Sequence, residues 1–395
     1  MLIPAAAHWM LFIRLREIIL LAPFLSFSYY LVAAGCARRF FTRVRNRAAD
    51  FTPPVSILKP VRGLDREAYE NFSSFCRLNY PDYEVLFGVS DPNDPAVPVI
   101  QTLIRDFPER PIRLFTGIAN IGPNEKASIL AHLSRQARHD VLVISDSDTR
   151  VPPDCLRALA APFQDPQVGA VSCLYRGIEE RSFADKLEAI GISSDFFAGV
   201  LVAEQFGGTR FALGATMATT RARLAGIGGF EALSDFLLDD YELGHRIAAL
   251  GYRVELLPCI VEMVLPAEPL RGFWDRQLRW VVGVRNSRPW GHLGMIVTQG
   301  LPLSLLAAAL AGSGRDAALY LGAYFVTRMT MAWVVGVWGL KDSVLRSNWW
   351  LVPLRDALAF AVWLASFRGR RVNWRGSEFY VRKGRLVPAG AAPGR

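Results

Sequence analysis

Residues 141–148, Val-Leu-Val-Ile-Ser-Asp-Ser-Asp, decide the fold of this chain. The four apolar residues 141–144 are typical of a buried strand, and two carboxylates, Asp146 and Asp148, follow it directly. Because alternate residues of an extended segment point the same way, both carboxylates can approach one cation. Oxygen ligands of this kind suit Mg²⁺ or Mn²⁺. The stretch therefore predicts a strand that ends at a metal-binding position.

Segments typical of strands and of helices alternate on both sides of this stretch. The candidate strands are residues 55–58, 83–89, 112–115, 141–145 and 168–173, and the candidate helices between them are residues 66–77, 96–107 and 126–137. This alternation predicts an α/β fold with a mostly parallel sheet and helices on both of its faces. Ligands of such sheets bind beyond the carboxyl ends of the strands. Asp91 follows the second strand and Asp146 the fourth, so we expect both at the same edge.

Long apolar segments flank this polar region. Hydrophobic residues make up 51% of the chain, and they concentrate in residues 18–37 and 291–367. Residues 18–37 carry no charge, and a helix of that length spans about 30 Å of hydrocarbon. Residues 291–314 also lack charge and residues 317–340 contain only Arg328. These two segments predict a helical hairpin through a membrane.

A further apolar segment, residues 349–367, has two interpretations. Arg355 and Asp356 interrupt it, so it either crosses the membrane or lies at the membrane surface. A third crossing would place the basic tail outside, against the tendency of basic residues to remain on the cytoplasmic side.

We therefore divide the chain into four parts. They are an anchor with a basic flank (1–48), a catalytic α/β domain (49–290), membrane helices (291–368) and a basic tail (369–395). The last ten residues are rich in Ala, Gly and Pro and predict a flexible end.

The net charge of +9 would suit a nucleic-acid-binding protein, but no binding motif accompanies it. Much of the excess lies beside the apolar segments, at Arg38, Arg39, Arg43, Arg45, Arg47, Arg368, Arg370, Arg371 and Arg375. Basic residues in that position orient membrane proteins and meet anionic lipid. They predict a catalytic domain on the cytoplasmic side, and they argue against nucleic acid as a partner.

The five cysteines form no Cys-x-x-Cys pair. Their spacing predicts neither a zinc site nor a disulfide framework. We expect them to be small buried residues in a reducing compartment.

Three other acids are candidates for the site. Asp91 lies in Ser-Asp-Pro-Asn, which is either a turn or a contact to a nucleotide. Asp239 and Asp240 begin a predicted helix that ends at Gly251. Acids in a first helical turn often only complement the helix dipole. One of the pair could instead act as a general base that accepts a proton from an attacking hydroxyl.

Basic and aromatic residues complete the candidate site. Arg276 and Arg279 are three apart and share a helix face, and Trp280 follows them. Arginine forks suit a diphosphate, although a basic cluster beside a membrane is the alternative interpretation. Lys126 opens a helix, where the dipole disfavours a cation unless an anion is present. Lys59 ends the first strand, at the same ligand edge.

This ordered set of motifs resembles that of the GT-A glycosyltransferases. More narrowly it is similar to the ceramide glucosyltransferase family and its bacterial relatives (families 21 and 2), including the glycosyltransferases of hopanoid biosynthesis. The family pattern is three acidic motifs followed by (Q/R)xxRW. Here Asp91, Asp146 and Asp240 precede Arg-Gln-Leu-Arg-Trp at residues 276–280. Residues 55–60, Val-Ser-Ile-Leu-Lys-Pro, also resemble the family's first strand.

The resemblance covers about residues 50–295. It implies a Rossmann-like GT-A domain, a UDP-sugar donor, a divalent cation and inversion at the anomeric carbon. The resemblance implies that Asp240 is the general base and that Asp146 and Asp148 bind the metal and the diphosphate. It also implies that Asp91 helps to bind the nucleotide.

The acceptor implied by the resemblance is a lipid hydroxyl, either of ceramide or of a polyhydroxylated hopanoid, and the sugar is glucose or N-acetylglucosamine. Animal ceramide glucosyltransferases often lack the second acid of the metal motif, whereas Asp148 completes it here. That strengthens the expectation of a cation and leaves the acceptor open. The resemblance to bacterial relatives predicts an integral protein of a bacterial inner membrane.

Two other classes of protein remain as alternatives. A processive polysaccharide synthase uses similar motifs, but two or three membrane helices are few for a polymer channel. A transporter or membrane scaffold would need no such set of motifs in a single α/β domain.

Overall fold

A mixed sheet of eight strands organises the part of the chain that precedes the membrane helices. The computed structural model describes residues 5–43, 51–178, 180–368, 371–374 and 377–388. In chain order the strands are β1 (Val55–Val61), β2 (Tyr83–Val89), β3 (Ile112–Phe115), β4 (Val141–Ser145), β5 (Thr149–Arg150), β6 (Val168–Ile178), β7 (Thr216–Thr220) and β8 (Arg253–Val264). Their spatial order is β3-β2-β1-β4-β7-β6-β8-β5.

The sheet is mostly parallel, as predicted. β1 runs parallel to β2 and β4, and β3 and β8 run parallel to β2 and β6 respectively. β7 is antiparallel to both of its neighbours, and the short β5 is antiparallel to β8. The five predicted strands are all present, with β1 and β6 longer than expected, whereas β5, β7 and β8 were not predicted.

Fifteen α-helices surround this sheet and continue beyond it within the described residues. They are α1 (Ala5–Thr42), α2 (Ala68–Cys76), α3 (Ala96–Asp106), α4 (Glu125–Gln136), α5 (Cys155–Ala160), α6 (Phe183–Gly191), α7 (Phe197–Gly207), α8 (Arg221–Gly226), α9 (Asp239–Ala249), α10 (Leu270–Ser287), α11 (Pro289–Gly294), α12 (Gly300–Leu310), α13 (Gly314–Ala332), α14 (Ser343–Asn348) and α15 (Val352–Ser366).

Helices cover both faces of the sheet because successive strand residues point to opposite sides. On β1, Ile57 packs with Phe72 of α2 and Ile100 of α3. The next residue, Leu58, packs with Leu130 of α4 on the other face. Each face is thus a separate hydrophobic core, and the carboxyl ends of β1 and β4 lie between the two.

Two helices are long and apolar enough to cross a membrane, at Arg14–Thr42 within α1 and at Gly314–Gly339, which begins with α13. Helices Pro289–Thr298 and Gly300–Leu310 form a third candidate only as a pair, bent by 54°. The first arm of the predicted hairpin is therefore a broken helix. α15 has 15 residues, about 22 Å at 1.5 Å per residue, which is shorter than the hydrocarbon core.

Helices α6 and α7 connect the sheet to the membrane helices. A π-helical turn, Ile192–Phe196, joins them. Phe197 is fully buried and packs in one cluster with Tyr30 of α1 and Met331 of α13. The sheet and the membrane helices thereby share a continuous core.

The segment predicted as a basic tail contains a three-stranded antiparallel sheet, for which no strand was predicted. Its strands are β9 (Arg371–Trp374), β10 (Ser377–Arg382) and β11 (Arg385–Pro388), in the order β11-β10-β9. The backbone N–H of Leu386 donates to the carbonyl of Asp235 at 2.7 Å, and that of Leu237 donates to Gly384 at 3.0 Å. This sheet therefore holds the loop that leads into α9.

Candidate active site

A large cavity of about 1120 Å³ opens at the carboxyl ends of β1 and β4, between the sheet and α10. Acidic side chains from several separate elements and loops line this cavity together with basic side chains. The lining includes Asp65, Asp146, Asp148, Asp239, Asp240, Arg62, Arg66, Lys126, Arg276 and Arg279. The predicted metal-binding and catalytic acids other than Asp91 therefore meet at one edge of the sheet.

Lys126 joins the acidic motifs electrostatically. Asn124 begins α4 by accepting a hydrogen bond from the Ala127 N–H at 3.0 Å, which places Lys126 in the first turn. The Lys126 ammonium lies 2.5 Å from Asp146 Oδ1 and 4.0 Å from Asp239 Oδ2. Burial lowers the pKa of Lys126, but the charges of Asp146 and Asp239 outweigh burial and raise it. The lysine is therefore a fixed positive charge between the two acidic motifs.

Asp148 lies among other carboxylates. Burial, and then the charges of Asp146 and Asp65, raise the pKa of Asp148 to about 7. The hydroxyl of Ser147 hydrogen-bonds to Asp65 Oδ2, which ties the acidic turn to the loop after β1. Asp148 therefore holds a proton more readily than an ordinary aspartate does.

The carboxylates at this edge are of the chemical type that could hold a hard divalent cation. Asp65, Asp146 and Asp148 offer the oxygen ligands that Mg²⁺ and Mn²⁺ prefer in proteins. Burial is the largest cause of the raised pKa of Asp148, and repulsion from the charges of Asp146 and Asp65 adds to it. A cation there would relieve that repulsion.

Lys59 is fully buried and does not line the cavity. Its ammonium donates to the carbonyl of Asp146 at 2.7 Å and lies 3.8 Å from the centre of the Phe75 ring. Burial lowers the pKa of Lys59 to about 7. The structure thus places Lys59 beneath the acidic turn, where it supports the backbone of Asp146, and not at the cavity surface where a nucleotide would bind.

Asp239 and Asp240 form the first turn of α9 and line the cavity. Asp239 Oδ1 accepts from the Asn124 side chain at 3.3 Å, whereas its Oδ2 is buried without a hydrogen-bond partner in the described structure. Burial, and then the charge of Asp239, raise the pKa of Asp240 to about 6. A Cβ on Gly214 would lie 2.8 Å from Asp240 Oδ2, so glycine there leaves room for the carboxylate.

The predicted arginine motif lies on α10 and is partly neutralised. Arg276 contacts Glu188 Oε2 at 2.5 Å and Glu268 Oε2 at 3.0 Å. Arg279 and Trp280 line the same cavity. Arg276 is therefore held in place by two carboxylates, and Arg279 lies one helical turn from it on the cavity wall.

Asp91 lies apart from this constellation. Its side chain is exposed, and Oδ1 accepts from the Asn93 N–H at 2.9 Å in the turn after β2. It is not among the cavity-lining residues. The geometry is that of the turn interpretation.

Several lining residues were not predicted. Asp65, Glu188 and Glu268 come from loops and a helix with no local motif, and Phe379 comes from β10 of the C-terminal sheet. Asp65 lies in the loop after β1, and the Lys59-Pro60 motif at the end of β1 was the only sequence signal near it. Nothing in the local sequence around Phe379 indicated that it lies beside the catalytic half.

The sheet and its acidic edge define a sugar-transferring enzyme of the GT-A class. The mannosyltransferase PcManGT from Pyrobaculum calidifontis, solved in complex with GDP-Man and Mn²⁺, has the same fold with a TM-score of 0.55 at 20% identity, over 88% of this chain and 99% of that chain. The chain itself belongs to glycosyl transferase family 21, whose family model matches residues 18–387.

The curated relatives include ceramide glucosyltransferases. Ceramide glucosyltransferase 1 of Caenorhabditis elegans is 22% identical over 340 residues, 83% of this chain and 71% of the relative. Ceramide glucosyltransferase 3 of the same organism is 25% identical over 229 residues, 58% of this chain and 50% of the relative. The chain thus spans half the length of one of these relatives and more than two thirds of the other.

Proposed function

We propose that this chain is a membrane-bound inverting glycosyltransferase that transfers glucose from UDP-glucose to the hydroxyl of ceramide. The family and its ceramide glucosyltransferase relatives support this lipid acceptor and this sugar. The observation that carries the proposal is the shared cavity, in which Asp240 of α9 faces the same space as Asp146 and Asp148. The basic flanks and apolar helices support a membrane protein with the cavity on the cytoplasmic side. The bacterial inner membrane is part of the proposal.

Asp240 acts as the general base in this proposal. Its carboxylate removes the proton from the acceptor hydroxyl as that oxygen attacks the anomeric carbon from the face opposite the leaving group. A base works best when its pKa lies near the working pH. Burial and the Asp239 charge raise the pKa of Asp240 to about 6, well above that of an ordinary aspartate.

Asp146 and Asp148 would hold a divalent cation. Such a cation would neutralise the charge that develops on the departing diphosphate. Lys126 supplies a second positive charge at the same edge, since it already contacts Asp146. Lys59 acts on this site from below, by fixing the carbonyl of Asp146.

Arg279 meets the diphosphate and Arg276 orients α10. The two glutamates that pair with Arg276 offset its charge, so its main contribution is to hold the helix against α6. Arg279 lies on the same face one turn away and lines the cavity. This arrangement provides preorganised charge at the leaving group, and such electrostatic stabilisation of the transition state commonly contributes most of an enzyme's rate enhancement.

The acceptor enters from the membrane side. Trp280 of α10 and Phe379 of β10 line the cavity, and α10 is followed directly by the broken membrane helix. Aromatic side chains in that position can pack against the lipid near its hydroxyl. The acceptor then stays in the bilayer while its hydroxyl reaches Asp240.

The test is a matrix of donors and acceptors with the full chain in detergent or vesicles. Labelled UDP-glucose and UDP-N-acetylglucosamine are each offered ceramide and a polyhydroxylated hopanoid, with and without EDTA. We expect labelled glucosylceramide that disappears with EDTA and returns with Mn²⁺. Transfer of N-acetylglucosamine to the hopanoid alone would replace the ceramide assignment. A growing polymer would indicate a processive synthase.

The base and the stereochemistry are tested separately. Asp240→Asn should keep UDP binding and reduce turnover about 10²–10⁴-fold, the usual contribution of a general base. Glu242→Gln is the matched control, since Glu242 lies in the same helical turn but pairs with Arg246. Retained turnover in Asp240→Asn would contradict the assignment. The anomeric coupling in the NMR spectrum of the product should be that of a β-linkage.

A further inference from the structure

Three of the five cysteines meet in space although their sequence spacing predicted no metal site. The Sγ atoms of Cys155, Cys173 and Cys259 all lie within 4.8 Å of one another. The Cys155 and Cys259 sulfurs are 3.7 Å apart. Cys155 begins α5, Cys173 lies on β6 and Cys259 lies on β8, so the three come from distant parts of the chain.

A β-bulge turns Cys259 towards the other two sulfurs. β6 and β8 pair in register from Ala170 and Val254 as far as Cys173 and Leu257, and the next pair is Leu174 with Ile260. Pro258 and Cys259 are therefore the extra residues of β8. Bulges re-aim side chains, and proline suits such a position because it lacks the N–H that a regular ladder needs.

We propose that these three thiols form a binding site for one thiophilic cation, Zn²⁺ or Cu⁺. The centre of an equilateral triangle with sides of 3.7–4.8 Å is about 2.1–2.8 Å from each corner, and a Zn–S bond is about 2.3 Å. Thiolate ligands select these soft metals over Mg²⁺ and Mn²⁺. The thiols lose their protons as the metal binds.

The site has three protein ligands. No His, Asp or Glu joins the three sulfurs in the part of the chain that the structure describes. Cys155 and Cys173 are buried, and Cys259 is only half-buried, so solvent can supply a further ligand on its side. Three ligands and an accessible position suit trigonal Cu⁺ or zinc with a bound water.

The cation would brace the strands behind the acidic edge. Thr149, at the start of β5, pairs with Met263 of β8, and both Met263 and Asp148 line the cavity. Cys155 follows β5 and Cys259 precedes Met263 on β8, so a metal there would join the two segments. None of the three cysteines lines the cavity. The three-cysteine site is a structural site, separate from the carboxylate site proposed for Mg²⁺ or Mn²⁺.

The test measures metal binding and not transfer. The full chain in detergent is reduced, stripped with a chelator and dialysed against Zn²⁺, or against Cu⁺ under anaerobic conditions, and bound metal is counted by mass spectrometry. We expect stoichiometric binding by the wild type. Cys259→Ser, at the least buried of the three positions, should weaken it at least tenfold. The double variant Cys36→Ser/Cys76→Ser, which changes two buried cysteines elsewhere, should bind as the wild type does.

A second readout needs no variant. Bound Zn²⁺ should slow alkylation of Cys259 in the folded wild type, as located by peptide mass spectrometry. Unchanged alkylation, or zinc and copper binding that is equally tight in Cys259→Ser, would overturn the proposal. So would a Cys155–Cys259 disulfide in a protein that binds neither metal after reduction.

Discussion

The chain buries charge in two regions, and they differ in how completely that charge is matched. Among the membrane helices, Arg328 is 1% exposed and binds Asp356 with two nitrogens, at 2.8 and 2.7 Å. Its remaining contacts go to the carbonyl and hydroxyl of Ser194, and Tyr324 donates to the same Asp356. At the sheet edge, by contrast, Asp148 and Asp240 have raised pKa values. There Asp239 Oδ2 lies 4.0 Å from the Lys126 ammonium but has no hydrogen-bond partner in the described structure.

The difference separates a structural ion pair from a ligand site. A buried pair whose donors and acceptors all find partners is complete in the folded chain and needs nothing from outside. Carboxylates that repel one another in a cavity store unfavourable energy that a cation, a proton or a substrate can relieve. Buried charge alone would have identified both regions, whereas the balance of the charges distinguishes them.

We expect the largest effect on stability when the Arg328–Asp356 ion pair is broken. Arg328→Met leaves Asp356 buried without its partner and should cost about 3–5 kcal/mol of stability, whereas Arg328→Met/Asp356→Leu should recover most of it. Thermal unfolding in detergent measures both variants, with Arg346→Met as the exposed control. Equal losses in the single and double variants would mean that the pair is not the source of the stability.

At the unmatched edge, Asp148→Asn should reduce turnover without unfolding the chain. Removal of one charge-stabilising group typically costs about 10²–10³ in kcat. Here the deletion also relieves repulsion from Asp146 and Asp65, so the unfolding midpoint should stay the same or rise. Activity against Mn²⁺ concentration, together with thermal unfolding, checks both statements. A lowered midpoint would show that Asp148 is a structural partner.

The raised pKa values of Asp240 and Asp148 should also make the activity depend on pH. With saturating Mn²⁺, kcat/KM should fall about tenfold per pH unit below about 6, because Asp240 gains the proton that a base must lack. The apparent affinity for Mn²⁺ should weaken as the pH falls through about 7, since Asp148 is then protonated. Profiles of kcat/KM and of Mn²⁺ activation measure the two effects. A profile that is flat between pH 5 and 8, roughly the span over which such groups titrate, would contradict both assignments.

The smallest effect concerns the acceptor side. Phe379→Ala should raise the KM for the lipid a few-fold, about 1 kcal/mol for lost aromatic contact, and leave the KM for the donor unchanged. Tyr380→Ala is the matched control, because neighbouring strand residues point to opposite faces. A change in donor KM alone would place Phe379 beside the nucleotide.

The parts of the fold that could be predicted carry a local signal. β2, β3 and β4 were predicted at their observed bounds because short apolar runs end at turn residues. β7, Thr-Met-Ala-Thr-Thr, lacks such a run, and Pro258 breaks the pattern of β8. Pairing with neighbours of distant sequence, and not propensity, makes these segments strands.

The residues of the candidate site were likewise predictable only where a local sequence motif contains them. Asp146, Asp148 and Asp240 stand in motifs, and the structure brings them together. Asp65 and Glu188 stand in none, because only tertiary packing places them against Ser147 and Arg276. Arg328 and Asp356 first looked like interruptions of two apolar segments, since their pairing across 28 positions is invisible to a sequence window.

The two backbone hydrogen bonds between the C-terminal sheet and residues 235–237 can form only late in the synthesis of the chain. Leu386 and Gly384 lie beyond helices α11 to α15, so the ribosome makes them only after the membrane helices. The loop before Asp239 therefore receives its final support after those helices have left the ribosome. A premature stop in the last strand would therefore leave these two hydrogen bonds unmade in a chain whose membrane helices are complete.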